Sequence, residues 1–228
     1  MINLNNLTLY SFDGKIIFSN ANCTFSNDKL NFIIGKSGVG KSTLLAFLSG
    51  IPFKTSGKVS FGKLKRNFKK KSELIEHRKK VAYIPQSFNL FEYLTVEQNV
   101  KFYSSKTNTP FDASLYKILI DKLSLLKKID TLVSELSIGE QQRVAILRAL
   151  MMKTPYILAD EPTGNLDPKN SKLIIEILED FRKMFDTTII IVSHNYSDIP
   201  NNSKIIEIKN ENPNCKMKLA TSGKKFSH

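Results

Sequence analysis

The run Gly35-Lys36-Ser37-Gly38-Val39-Gly40-Lys41-Ser42, followed by Thr43, fits the pattern G-x-x-x-x-G-K-[ST]. Its glycines permit backbone angles that turn successive N–H groups into one concave nest for phosphate oxygens. Lys41 supplies a point charge for the β and γ phosphates of a nucleotide, and the Ser42 hydroxyl suits Mg²⁺. A helix beginning at Lys41 aims its positive end at the same anion. The bland alternative is a glycine-rich turn before a helix. An apolar strand ahead of the loop and a helix-forming run behind it favour phosphate binding.

Tyr156-Ile157-Leu158-Ala159-Asp160-Glu161 supplies the second half of such a site. An apolar strand carries Asp160 to its end, where a carboxylate can hold Mg²⁺ through water. Glu161, next in line, is placed to polarise an attacking water. Alone, this run also reads as a strand entering a solvated turn; the upstream loop gives it meaning. Leu136-Ser137-Ile138-Gly139-Glu140-Gln141-Gln142-Arg143 opens a helical run, Val144–Met152. Ser137 suits an N-cap, with Glu140 its reciprocal partner in a capping box. The same helix start, with its free N–H groups, is alternatively a second anion site.

These residues need elements to position them. Asp13-Gly14 reads as a hairpin turn between Leu7–Phe12 and Lys15–Phe18. Leu30–Ile34 is a short strand before the glycine-rich loop, and Lys41 to about Leu48 is a helix stopped by Gly50 and Pro52. Val81–Ile84 is a strand ending at Pro85-Gln86, and residues 95–150 read as mostly helical. Leu173–Met184 is a helix, and Thr187–Val192 a β-branched strand ending at Ser193-His194. Strands alternating with helices predict an α/β fold with a mostly parallel sheet, its active residues at the carboxyl strand ends.

Composition narrows the class. Hydrophobic residues at 41% and charged residues at 24% of 228 are those of an ordinary globular chain with a sizeable core. No apolar run approaches the roughly 18–20 residues a membrane-spanning helix needs. Met1-Ile2-Asn3-Leu4-Asn5 lacks the blocks of a signal peptide, and Cys23 and Cys215 make no disulfide framework. The expectation is a soluble protein in a reducing, intracellular setting. A formal charge of +13 calls for an acidic partner or an anionic surface: nucleic acid, phospholipid or nucleotide.

With these motifs in order, the chain resembles the nucleotide-binding subunit of ATP-binding cassette (ABC) transporters over nearly its whole length. Gly35–Ser42 is the P-loop. Tyr83-Ile84-Pro85-Gln86 looks like the Q-loop, followed by a family-like Leu94-Thr95-Val96-Glu97-Gln98-Asn99-Val100. Leu136–Gln142 looks like the signature, Ala159–Asp167 covers Walker B and the D-loop, and His194 falls where the switch histidine falls. The resemblance implies a P-loop NTPase core at 1–209 with an N-terminal antiparallel β sub-domain, a helical sub-domain at about 88–150, and a basic C-terminal tail at 210–228.

The resemblance also implies ATP and Mg²⁺ as cofactors. Two subunits, a homodimer by default with a heterodimer open, would close head-to-tail around two ATP. Ser137 and Gly139, with Glu140 beside them, would face the partner's nucleotide. Asp160, Ser42 and Gln86 would serve the metal, Gln86 also coupling to the membrane partner. His194 would contact the γ-phosphate and align Glu161 and its water. Phe12 would stack on adenine, Tyr10 being the alternative. Without an Asn-Lys-x-Asp element for guanine, ATP is favoured over GTP. Ile138 replaces the first of the signature's two usual glycines, and Asn195 follows His194 where the family usually has Asp.

Gly164-Asn165 resembles the branch of lipoprotein-releasing, macrolide- and peptide-exporting and cell-division ATPases. That branch implies a separate integral membrane permease and a cytoplasmic place on the inner face of the membrane. A docking groove is expected around Ser87–Tyr93, where core packing explains Phe88, Leu90, Phe91 and Tyr93 about equally well. A second reading has the ATPase gate a cell-wall hydrolase through its membrane partner without transport. The nucleic-acid class is disfavoured: only 49 residues separate Gln86 from Leu136, without a sustained heptad, and there is one cassette. Residues 63–80 carry net +7 and residues 201–228 net +4, so the basic excess lies away from the ATP motifs. Those segments read either as a solvated face and a frayed tail or as surfaces lying against anionic lipid.

Overall fold

The computed structural model describes residues 1–62, 64–65, 71–104, 110–211 and 214–220, with side chains for 1–62, 71–103 and 110–209. At its centre are four parallel strands: β3 (Asn31–Gly35), β6 (Val81–Ile84), β7 (Tyr156–Asp160) and β8 (Thr188–Val192). Every residue of β7 and β8 is buried. Their unbroken apolar runs follow from cover on both faces, as parallel strands require. Side chains alternate between two cores. Ile157, Ala159, Ile189 and Ile191 enter one, and Tyr156, Leu158, Ile190 and Val192 the other.

The first core lies under α4 (Ala113–Lys122), α5 (Ile138–Met151) and α6 (Pro168–Phe185). Leu115, Leu119 and Ile120 of α4 and Ile146 and Leu150 of α5 join Ile157 and Ile191 there. The helical stretch around 88–150, which includes α3 (Val96–Ser104), thus shares its core with the sheet. The second core lies between α1 (Lys41–Ser49) and the antiparallel strands β1 (Ile2–Tyr10), β2 (Ile16–Phe25) and β4 (Thr55–Phe61). β5 (Leu64–Lys65) and α2 (Lys71–Arg78) follow β4.

The expected α/β architecture is present, a mostly parallel sheet with an antiparallel N-terminal part. All strands among the described residues join one ten-stranded sheet, ordered β5-β4-β1-β2-β10-β9-β3-β8-β7-β6. Here β9 (Lys204–Glu211) pairs parallel with β3, and β10 (Asn214–Ala220) pairs antiparallel with β9. A single parallel bridge, Cys215 to Phe18, links β10 to β2.

Local expectations fare unevenly. The hairpin exists, but its turn is wider than Asp13-Gly14 alone: Ser11 N–H donates to the Lys15 carbonyl at 2.8 Å, and strand pairing reaches back to Ile2. The last long helix begins at Pro168, five residues before the expected Leu173. Asp167 caps it, its side chain accepting from Asn170 N–H at 3.0 Å. The proposed boundary at 209/210 falls inside β9, and the expected basic tail contains β10. Antiparallel pairing with β9 along its whole length makes this segment a strand, which its lysines do not announce. The rest of that tail, and most of the basic run from 63 to 70, lie outside the described residues.

Candidate functional site

The parallel register places four strand ends on one edge. Asp160 pairs with Val192, Ile33 with Val192, and Ile84 with Ala159. The loops leaving β3, β6, β7 and β8 therefore converge, bringing the P-loop, Gln86, Asp160-Glu161 and His194 to one place.

Lys36, Ser37 and Gly38 form the exposed crest of the P-loop, over buried Val39 and half-buried Gly35 and Gly40. Gly40 has φ +99°, and a Cβ there would stand 2.4 Å from Ile17 Cγ2 of β2. Only glycine lets the loop turn into α1 that close to the antiparallel sheet. Beneath the crest, the Lys41 ammonium donates to the carbonyls of Gly35 at 2.8 Å and Lys36 at 3.0 Å. Burial lowers its pKa, opposed by the charges of Glu161 and Asp160. Ser42 is exposed and Thr43 half-buried on the first turn of α1.

Asp160 is 3% exposed, and Oδ1 has no hydrogen-bond partner among the described residues. Burial raises its pKa, while a hydrogen bond from Ser42 and the Lys41 charge oppose the shift. A buried carboxylate oxygen with an open lone pair beside a serine hydroxyl suits Mg²⁺, which takes one or two protein oxygens and fills its shell with phosphate and water. The residues present fit the metal the sequence implies.

Glu161 stands in the left-handed region, φ +52°, where a non-glycine residue is strained. Its N–H donates to the Val192 carbonyl at 3.0 Å, and its own carbonyl accepts from Gly164 N–H at 3.1 Å and Gln142 Nε2 at 3.1 Å. This bend turns the half-buried carboxylate away from the strand line and into the cleft. His194 Nε2 lies 2.7 Å from Oε1, and Gln86 Nε2 donates to Oε2 at 3.3 Å. Glu161 and His194 line a cleft of about 410 Å³, with Thr163, Gly164, Ser193, Asn195 and Asp198 along its wall.

The signature residues stand apart. Ser137 caps α5 in the expected capping box: its Oγ accepts from Glu140 N–H at 3.3 Å, and Glu140 Oε2 accepts from Ser137 N–H at 2.8 Å. Those bonds lower the Glu140 pKa, with Lys128 adding a weaker attraction. Gly139 faces the loop after β7; a Cβ there would lie 3.3 Å from Leu166 Cδ2. Among the described residues, no hydrogen bond or ion pair joins Ser137, Gly139 or Glu140 to Lys41, Asp160 or Glu161. Phe12 is 83% exposed and leans on Phe53, ring centroids 4.8 Å apart, while Tyr10 carries the Lys54 ammonium over its ring at 5.2 Å.

Three supports were not singled out from sequence. Gln142 holds the Glu161 carbonyl from α5. Asp198 accepts from Thr163 Oγ at 2.9 Å and Asn195 Nδ2 at 3.1 Å, tying the loop after β7 to the loop after β8. Arg148, buried in α5, donates to the carbonyl of Asn89 at 2.5 Å and that of Phe88 at 2.7 Å, clamping the loop after Gln86. The Gln142, Arg148 and Thr163–Asp198 bonds join residues 19 to 60 positions apart, and two of the three supports act on backbone carbonyls, which leave no side-chain signal.

This strand-end arrangement is matched in known proteins. The family model described as "ABC transporter" covers residues 18–164. The chain belongs to the ABC transporter family. It is 37% identical over 185 residues to the lipoprotein-releasing system ATP-binding protein LolD of Buchnera aphidicola, covering 79% of this chain and 80% of that protein. To the phosphonates import ATP-binding protein PhnC 1 of Ruegeria sp. it is 33% identical over 208 residues, covering 87% of this chain and 81% of that one. A dimeric ATP-binding cassette in a post-hydrolysis state, bound to ADP and Pi, superposes with a TM-score of 0.80 at 29% identity, over 91% of this chain and 94% of that chain. The chain is therefore an ABC ATPase. Among the described residues, no helix is long and apolar enough to cross a membrane.

Proposed function

We propose that this ABC ATPase closes head-to-tail with a second copy around two ATP and drives a separate integral membrane permease from the inner face of the membrane. The observation that carries this reading is Glu161, held between His194 and Gln86 beside the buried Asp160–Ser42 pair and Lys41.

In this reading the P-loop N–H groups and Lys41 receive the β and γ phosphates, displacing the carbonyls that Lys41 now contacts. Ser42 and Asp160 would hold Mg²⁺, with the Gln86 side-chain oxygen as a further ligand, supplying positive charge against the phosphate oxygens. Glu161 orients the attacking water and accepts its proton, and His194 keeps that carboxylate turned toward the γ-phosphate. Ser137 and Gly139 reach the nucleotide of the second copy, consistent with their separation from this chain's own P-loop. Glu140 acts there by holding Ser137 in its cap. Phe12 provides the adenine platform.

Gly164-Asn165 and the likeness to LolD support release or export of a lipoprotein, peptide or drug-like substrate. The phosphonate-import relative makes direction of transport the point to test. Tagged chain should be purified from detergent-solubilised membranes of its own cells. Co-elution of a polytopic membrane protein whose reconstitution stimulates ATP turnover is expected. Recovery with RNA or DNA at low salt, without such a protein, would contradict the proposal.

A further inference from the structure

Gln142 is 1% exposed and sits one turn into α5, next to the fully buried Val144, Ala145 and Ile146. Its Nε2 donates to the Glu161 carbonyl at 3.1 Å, across the gap between α5 and the end of β7. Its Oε1 is buried without a hydrogen-bond partner among the described residues. Packing does not account for this side chain. A methionine would fill the same length without an orphaned acceptor, and the Glu161 carbonyl would keep its bond from Gly164 N–H, so the exchange costs little stability. The amide is matched to one thing in its surroundings, the Glu161 peptide.

That peptide needs holding. Glu161 occupies a left-handed conformation, and three bonds define it: N–H to Val192, and carbonyl from Gly164 and from Gln142. The Val192 and Gly164 bonds come from the strand and from its own turn. Only Gln142 reaches it from α5, the helix whose first turn carries Ser137 and Gly139.

We propose that Gln142 is a positioning residue for Glu161, holding the carboxylate's backbone in its catalytic orientation and linking it to the helix that faces the second copy's nucleotide. This rests on the reading of Glu161 as the residue that orients water. Displacing a reacting group by about 1 Å costs on the order of a hundredfold in rate, so a small relaxation of this peptide is felt in turnover.

The test uses the full chain with Mg²⁺-ATP and compares Gln142→Met, the similarly sized apolar Gln142→Leu and Glu161→Gln with wild type. Both Gln142 variants should lose about 10–100-fold in kcat. Their KM for ATP and ATP-driven dimerisation should be unchanged, and their Tm should move by less than about 3 °C. Wild-type kcat in either folded variant, beside an inactive Glu161→Gln, overturns the positioning role and leaves the water-orienting role intact. A loss shared equally by ATP affinity and dimerisation also overturns it, by making Gln142 a residue of the fold alone. Activity in Glu161→Gln itself would instead remove the reading on which the inference rests.

Discussion

His194 Nε2 lies 2.7 Å from Glu161 Oε1, joining the end of β8 to the end of β7. With Nε2 carrying its proton, the imidazole donates to the carboxylate. Gln86 takes the other oxygen from the end of β6. Three strand ends therefore aim one carboxylate. His194→Ala should lower kcat by about 10²-fold with little change in ATP affinity, because it removes orientation rather than binding. Stopped-flow nucleotide binding beside steady-state turnover separates the two, and a large affinity loss would mean that His194 acts mainly on bound nucleotide.

The capping box at α5 predicts a pH-dependent contribution. Ser137 bonds hold the Glu140 carboxylate below its ordinary pKa, so the folded state favours the ionised form. That stabilisation is complete above the unfolded carboxylate value and disappears as pH falls through the lower folded value. Ser137→Ala should cost about 1 kcal/mol near neutral pH, and the difference from wild type should shrink below about pH 4 in denaturant titrations. A gap that stays constant into acid would show that the Ser137 hydroxyl contributes nothing through the Glu140 charge, the backbone bond being retained in the alanine variant.

Asn195 is suited to its neighbours where an aspartate would not be. Its Nδ2 donates to Asp198, which also receives Thr163 Oγ. Asn195→Asp would replace a donor with a like charge, raising the pKa of the new carboxyl pair in the fold. The variant should match wild-type stability in acid and fall below it by about 1 kcal/mol as pH rises through the carboxylate range to neutrality. Equal stability at pH 7 would indicate that the loop rearranges to separate the two acids.

Phe12 and Phe53 form a pair with one ring almost wholly in solvent. If Phe12 stacks on adenine, Phe12→Ala should weaken ATP binding by on the order of 1 kcal/mol and leave triphosphate affinity unchanged. Phe12→Trp should preserve ATP affinity. The same selective loss in Tyr10→Ala, but not in Phe12→Ala, would transfer the platform to Tyr10.

Legibility in the sequence followed the physics of each element. Val81–Ile84, Tyr156–Asp160 and Thr188–Val192 were readable as strands because cover on both faces leaves short, unbroken apolar runs. The P-loop and the Ser137 cap were readable because their partners are local backbone groups at fixed spacing. β4 was not: its first four residues are exposed, so no alternation announces it. β10 was not, since antiparallel pairing with β9 supports a Lys-rich strand that composition reads as a tail. Within the site, the residue types and their gathering at the strand ends were legible, and the individual contacts were not. The Glu161–His194 contact spans 33 residues, and the Gln142 bond ends on a carbonyl 19 residues away.

The central claim is that Glu161, held by His194 and Gln86, activates the water that hydrolyses ATP. Mg²⁺-dependent ATP hydrolysis by wild type and Glu161→Gln, measured with nucleotide occupancy on the same samples, tests it most directly. Full occupancy with turnover reduced by about 10²–10⁴-fold is the predicted result. Hydrolysis by Glu161→Gln at the wild-type rate would contradict the account.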